Sequence, residues 1–358
     1  MNNDNIVSIF EAREGWESIH ANQNETSYFS DLADIAATTT LKYPTIIPDN
    51  VTSNLTLSGI IGITHPVHIL DGCTLTITNK SIVYLDYAGE LIVDQGGSLV
   101  LGDSVTFTAF DIAGTVKRIV INGGFEVGIK PVFELFKNNP SENVLHIFIN
   151  NPNLEVLFKS GSFNEVLLEA YNIHNIFDSC GFRPGSVIGY NGNYNFHNCR
   201  IVGEVHLFNK KNERFVYVDS CSFWGFLGGT ALIIDNYSHF RVCNSLFNKS
   251  DPLQPGYENA IFMSNSGSRG GFINNDTILN SYNTGIISYN SNVRIVGNEV
   301  SYNGIGLKFL NRSNVGLHGS STEITQSIQD NQTGAIYSTW ESFPYFMKYN
   351  VLKKKDLS

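Results

Sequence analysis

Six segments of the chain share one six-residue pattern, and that repetition restricts the possible folds more than any other feature. The pattern is an apolar residue, three mostly small or polar residues, one variable residue and a closing apolar residue. It reads Phe177-Asp-Ser-Cys-Gly-Phe182, Phe196-His-Asn-Cys-Arg-Ile201, Val218-Asp-Ser-Cys-Ser-Phe223, Val242-Cys-Asn-Ser-Leu-Phe247, Ile273-Asn-Asn-Asp-Thr-Ile278 and Ile295-Val-Gly-Asn-Glu-Val300. The closing residues recur at intervals of 19, 22, 24, 31 and 22 residues. A unit this short cannot bury a core of its own, so each must stack on the next as a solenoid. One such coil holds about three strands of 4 to 6 residues and stacks on its neighbour at ~4.8 Å.

The fourth column of the pattern runs Cys180, Cys199, Cys221, Ser245, Asp276, Asn298. Small or hydrogen-bonding side chains at a turn satisfy one another along the axis when like residues stack. The three cysteines therefore read as buried ladder residues rather than redox or metal groups. In-register thiols pointing the same way also suit the disulfide dihedral poorly. A second strand recurs out of phase as Ala231-Leu-Ile-Ile-Asp-Asn236, Ala260-Ile-Phe-Met-Ser-Asn265, Gly285-Ile-Ile-Ser-Tyr-Asn290 and Gly306-Leu-Lys-Phe-Leu-Asn311, with a weaker copy at Gly334-Ala-Ile-Tyr337. Upstream, Val67 to Ile77, Gly89 to Val93 and Gly97 to Leu101 alternate apolar and polar residues with Gly or Asp-Gly at the corners, as opening coils would.

These ladders and strands resemble the right-handed parallel β-helix proteins of the pectin-lyase-like class, and the opening coils resemble those of secreted surface proteins of Bacteroidetes-like bacteria. The fold expected is thus all-β, a right-handed parallel β-helix over residues 46–340. A cap or irregular extension is expected over 1–45 and a C-terminal cap and tail over 341–358. The resemblance specifies fold far more than function, because one scaffold hosts many chemistries. It implies an extracellular or cell-surface protein, although Met1 to Phe10 shows neither the basic region nor the apolar core of a signal peptide.

Composition narrows the partners. A formal net charge of −10 argues against a nucleic-acid binder, which needs clustered Lys and Arg. No apolar run reaches the ~18 residues of a membrane-spanning helix. The five cysteines form no CxxC pair, so no zinc site is indicated.

The enzymes of the class imply further signatures: clustered aspartates with a His and an Arg-x-Lys pair in hydrolases, acidic calcium ligands with a basic residue in lyases. The chain has no Gly-His-Gly, no Asp-Asp and no Arg-x-Lys. Strand alternation turns Asn195, Tyr217, Arg241, Phe272 and Arg294 outward in one row. A second strip presents Ile233, Phe262, Ile287 and Lys308, with Asp235, Ser264, Tyr289 and Leu310 beside them. Aromatic faces and Arg forks suit sugar rings and sugar carboxylates. The 31-residue interval holds Lys249-Ser-Asp-Pro-Leu-Gln-Pro-Gly-Tyr-Glu258, a projecting loop offering Asp251, Tyr257 and Glu258 for a calcium or glycan site, with Arg241 and Arg294 below it. His174, His197, His206 and His239 lack metal-ligand spacing and read as structural or surface residues.

The functional expectation is a non-catalytic module for adhesion, glycan binding or spacing, with a polysaccharide or cell-surface glycan as partner and no resident cofactor. The alternative is a calcium-assisted lyase of acidic glycans with Arg241 or Arg294 as base, a role that would demand an unusually perturbed guanidinium. In a third class the chain is a structural segment whose outward strips pack against neighbouring domains.

Overall fold

The structure, a computed structural model, describes residues 43–354 apart from 87, 111–116, 137–143, 172, 212, 226–228, 250–256, 319–325, 340 and 347–349. Nearly all of the expected N-terminal cap therefore lies outside the described residues, as does Asp251.

Forty strands, with no helix among the described residues, wind as thirteen three-stranded coils and one further strand. Every third strand pairs in parallel with its counterpart on the next coil, so the chain is an all-β parallel β-helix. The first face is a 14-stranded sheet from Thr45–Ile46 to Asn350–Lys354, and the second a 13-stranded sheet from Asn50–Val51 to Gly334–Ser338. The third face has two parts, a four-stranded sheet from Leu55–Leu57 to Gly124–Val127 and a nine-stranded sheet from Glu155–Lys159 to Phe343–Phe346. A single bridge, Ile129 to Lys159, links them. The solenoid runs on past residue 340, into the stretch where a C-terminal cap and tail were expected: Phe343–Phe346 is a strand of the third face, and Asn350–Lys354 follows on the first face.

Alternating side chains make the core. In Thr74–Ile77 and Ser98–Leu101 every second residue is buried, because successive side chains of a strand point to opposite faces. The repeat converts directly into register. The closing residues of the six-residue pattern, Phe182, Ile201, Phe223, Phe247, Ile278 and Val300, are partners on the first face. The opening residues, from Phe177 to Ile295, are partners on the third. The out-of-phase strand is the second face, where Leu232, Ile261, Ile286, Leu307 and Ile336 align.

Each corner carries its own polar ladder, and the ladders answer where the turn amides find acceptors. Between the third and first faces, the Cys221 amide donates to Ser245 Oγ (3.1 Å), that of Ser245 to Asp276 Oδ1 (2.7 Å) and that of Asp276 to Asn298 Oδ1 (2.8 Å). The Cys180 and Cys199 thiols donate to the carbonyls of Phe158 and Phe177 on the preceding coil. All five cysteines are free and buried. Between the second and third faces, Ser266, Ser291, Ser313 and Ser342 accept amides in sequence through their hydroxyls. Between the first and second, Asn303 and Asn331 do the same through their side-chain oxygens. The asparagines that close the second-face strands, Asn236, Asn265, Asn290 and Asn311, adopt φ between 46° and 60°. Asn tolerates this left-handed region better than most side chains, which explains its recurrence there.

Asp276 is the member of these ladders that costs the fold. It is 1% exposed, and burial raises its carboxyl well above the usual range. The folded chain thus holds a proton that the unfolded chain releases near pH ~4, so this group's contribution is full below that pH and is lost as pH rises toward the folded value. Asp276→Asn keeps the acceptor for Ser245 and removes the titration. The variant should have a higher urea midpoint than the parent at pH 7, the gap narrowing by pH 4.5; a gap independent of pH would mean that Asp276 does not titrate on unfolding.

Candidate functional site

The third face presents the densest outward chemistry. Its strands Asn193–His197, Phe215–Asp219, His239–Cys243, Gly270–Asn274 and Asn292–Val296 lie on consecutive coils. Their central residues, Asn195, Tyr217, Arg241, Phe272 and Arg294, are register partners. The row read from strand alternation is therefore the row the structure forms. The Arg241 guanidinium lies 5.9 Å from the centroid of Tyr217, and that of Arg294 lies 5.9 Å from the centroid of Phe272. Both arginines are exposed, Tyr217 and Phe272 are partly buried, and Gly316 follows Arg294 on the next coil. Among the described residues neither arginine enters an ion pair. A guanidinium stacked on a ring keeps its planar fork of donors oriented. The face of the ring is correspondingly taken, so the guanidinium, rather than an open aromatic platform, leads in any contact with a ligand.

Beside this row, two residues further along each strand, runs a second one: Lys159, Asp178, His197, Asp219, Cys243 and Asn274. The His197 ring sits between two carboxylates, with Nδ1 3.1 Å from Asp178 Oδ1 and Nε2 3.9 Å from Asp219 Oδ2. The hydrogen bond to Asp178 raises the His197 pKa and lowers that of Asp178. Burial pushes Asp219 up, but hydrogen bonds from Asn244, Cys243 and Ser220 outweigh it and hold its carboxyl below the usual value. The Cys243 thiol donates to Asp219 Oδ1 at 3.2 Å and, chiefly through burial, is pushed up to about 11. The site arginines thus stand beside a column whose charges alternate and neutralise one another. This column escaped the motif search, although reading the second position of the six-residue pattern downward spells it out as Asp178, His197, Asp219, Cys243, Asn274.

The loop residues stand elsewhere. Lys249 ends a first-face strand and Asn259 begins a second-face strand, so Tyr257 and Glu258 belong to the corner between those faces and not to the face of Arg241 and Arg294. Tyr257, expected to project for a ligand, is instead buried: it is 2% exposed and donates its hydroxyl to the Gly203 carbonyl at 2.9 Å. Its ring joins the buried core, and the buried hydroxyl needs that acceptor. Glu258 is exposed. Among the described residues no group of three His, Cys, Asp or Glu side chains is placed to hold a metal ion.

The second-face strip forms in the expected register, Ile233, Phe262, Ile287 and Lys308 in one row and Asp235, Ser264, Tyr289 and Leu310 in the next. Ile287 is 8% exposed, and Lys308 lies 5.7 Å from the Tyr337 ring centroid. Upstream coils extend the strip in a way the sequence reading missed: Tyr171 stacks on Tyr190 at 4.5 Å, and Tyr190 on Phe208 at 5.6 Å. Tyr171 donates to Glu169 Oε1 at 2.6 Å, and the other oxygen of Glu169 lies 2.9 Å from His146 Nε2. His206 likewise lies 3.1 Å from Glu204, and His174 3.8 Å from Glu155. Rings stacked on one another along the axis cover each other's faces, so these rings, like those of the third face, offer no open platform for a sugar.

Comparison with known proteins finds no family model, no curated protein and no solved structure that matches the chain. No helix of the described residues is long and apolar enough to cross a membrane.

Proposed function

We propose that this β-helix is an extracellular or cell-surface module that binds an acidic glycan along the third face. One observation carries the reading: Arg241 and Arg294 are exposed, stacked on Tyr217 and Phe272, and unpaired with any carboxylate among the described residues. In a chain of net charge −10, oriented and uncompensated guanidiniums are a local departure that suits a sugar carboxylate. The resemblance to secreted β-helix proteins supports the location.

Cleavage is the second reading, favoured by His197. An imidazole exchanges protons near neutral pH, and this one shares the face of the two arginines. The hydrogen bond to Asp178 raises its pKa, however, which suits an acid better than the base an elimination requires.

The test is retention of the purified chain on immobilised polyuronate, with absorbance followed for unsaturated products. Arg241→Ala and Arg294→Ala should each weaken retention by about 1.5–3 kcal/mol, the worth of a hydrogen bond to a charged group, and leave the melting temperature unchanged. Absorbance should stay flat. Retention unaffected by either change would sink the binding reading, and product that disappears in His197→Ala would establish a lyase instead.

A further inference from the structure

The spacing of the two site arginines carries the binding reading one step further, to the kind of acidic glycan. Along the third-face row, cation and ring alternate coil by coil: Tyr217, Arg241, Phe272, Arg294. The strands that carry the two arginines are two parallel strand spacings apart, roughly 9–10 Å, and each guanidinium leans over the ring of the preceding coil at the same 5.9 Å, so both are displaced alike. An extended pyranose unit is about as long as one strand spacing. A linear polysaccharide running parallel to the solenoid axis then sets one sugar against each coil, and two successive guanidiniums meet every second sugar.

The position between them does not tolerate a charge equally well. A sugar opposite Phe272 meets a partly buried ring, with the His239 ring 6.4 Å from it, rather than a guanidinium on its own coil. A carboxylate there has no guanidinium on its own coil to replace the hydration it loses, which costs free energy. The flanking column adds no positive surplus, because His197 is matched by Asp178 and Asp219. Arg294 is followed by Gly316, which leaves its outer side open to a ligand continuing along the axis.

We infer that the third face is in register with a linear polysaccharide whose carboxylate recurs on every second sugar, with Arg241 and Arg294 each gripping one uronate and Phe272 facing the neutral sugar between. The inference rests on the acidic-glycan reading and adds the alternation. It makes the two arginines act through one chain: a fragment carrying two uronates engages both, and the second contact forms at the high effective concentration set by the first.

Calorimetric titration of the full chain with fragments of hyaluronan, an alternating uronate polymer, and with polygalacturonate fragments, which are charged on every sugar, tests this. The expected result is that a hyaluronan tetrasaccharide binds tighter than the disaccharide by on the order of 100-fold, and tighter than a polygalacturonate tetrasaccharide of twice its charge. Arg241→Ala and Arg294→Ala should each abolish the gain from disaccharide to tetrasaccharide while leaving disaccharide binding within about threefold, because one site remains. Arg241→Lys should lose most of the gain as well, since an ammonium lacks the planar fork. Tighter, arginine-dependent binding of polygalacturonate would overturn the alternation and leave the acidic-glycan reading standing. Failure of both polymers to bind, or binding indifferent to both arginines, would overturn the two together.

Discussion

Phe177→Ala lowers the stability of the solenoid by about 3–5 kcal/mol, the range for emptying a fully buried aromatic site. Phe177 is 0% exposed and occupies the middle of a ring stack, 5.3 Å from Phe158 on the preceding coil and 4.8 Å from Phe196 on the following one. Phe163 and Phe182 meet it edge-on across the core at 6.4 and 5.7 Å. Removing the ring takes contacts from four aromatic neighbours at once. The cavity cannot close easily, because the strands that wall it are held at fixed spacing by their ladders. Phe177→Leu retains most of the volume and should cost less than half as much. Urea unfolding measures both. Since each coil touches only its neighbours, amide exchange should also quicken first in residues 155–201. A loss for Phe177→Ala below about 1 kcal/mol would mean that the stack contributes little more than surface burial.

Asn303→Ala costs a comparable amount by a different route, about 2–5 kcal/mol. The Asn303 side chain is fully buried at the corner between the first and second faces. Its oxygen accepts the Ser281 amide at 2.8 Å, and its nitrogen donates to the Ile278 and Ser301 carbonyls and to Asn331 Oδ1 at 3.2, 3.0 and 3.1 Å. Alanine strands the Ser281 amide in a site that water does not reach, and an unmet buried donor costs more than a hydrogen bond contributes. Asn303→Asp separates the two halves of the argument. It keeps the acceptor, loses the donors and places a carboxylate where burial favours the neutral acid. That variant should be the less stable of the two at pH 7 and should recover as pH falls, in the sense already derived for Asp276. If Asn303→Ala unfolds at the parent's urea midpoint, the corner ladders are geometric coincidences rather than stabilising elements.

Much of this architecture can be read before any coordinates, because a parallel in-register solenoid turns columns of a sequence repeat into rows in space. Phe182 and Ile201 are 19 residues apart in the chain and direct partners in the first face. The same conversion places Tyr217, Arg241, Phe272 and Arg294 in one outward row and the cysteines in a buried ladder. The Asp178, His197, Asp219 column was equally legible, but a search for fixed catalytic motifs passes over residues whose relation is one per coil.

The strand period and coil period by themselves thus determined the fold, the register and the side of the sheet on which each residue stands. The choice of partner was decided only by the tertiary structure. Column position leaves Arg241 free to lean toward Tyr217 or toward Asp219, and the geometry seats it over the ring while His197, Asn244 and Cys243 occupy the carboxylate. Tyr257, at the end of a loop rich in turn residues, reads as exposed and is in fact drawn inward to the Gly203 carbonyl, 54 residues back in the chain. Such outcomes turn on distances of an ångström or two between side chains on different coils, a scale at which hydrogen bonds and cation–ring contacts form or fail and which no periodicity encodes.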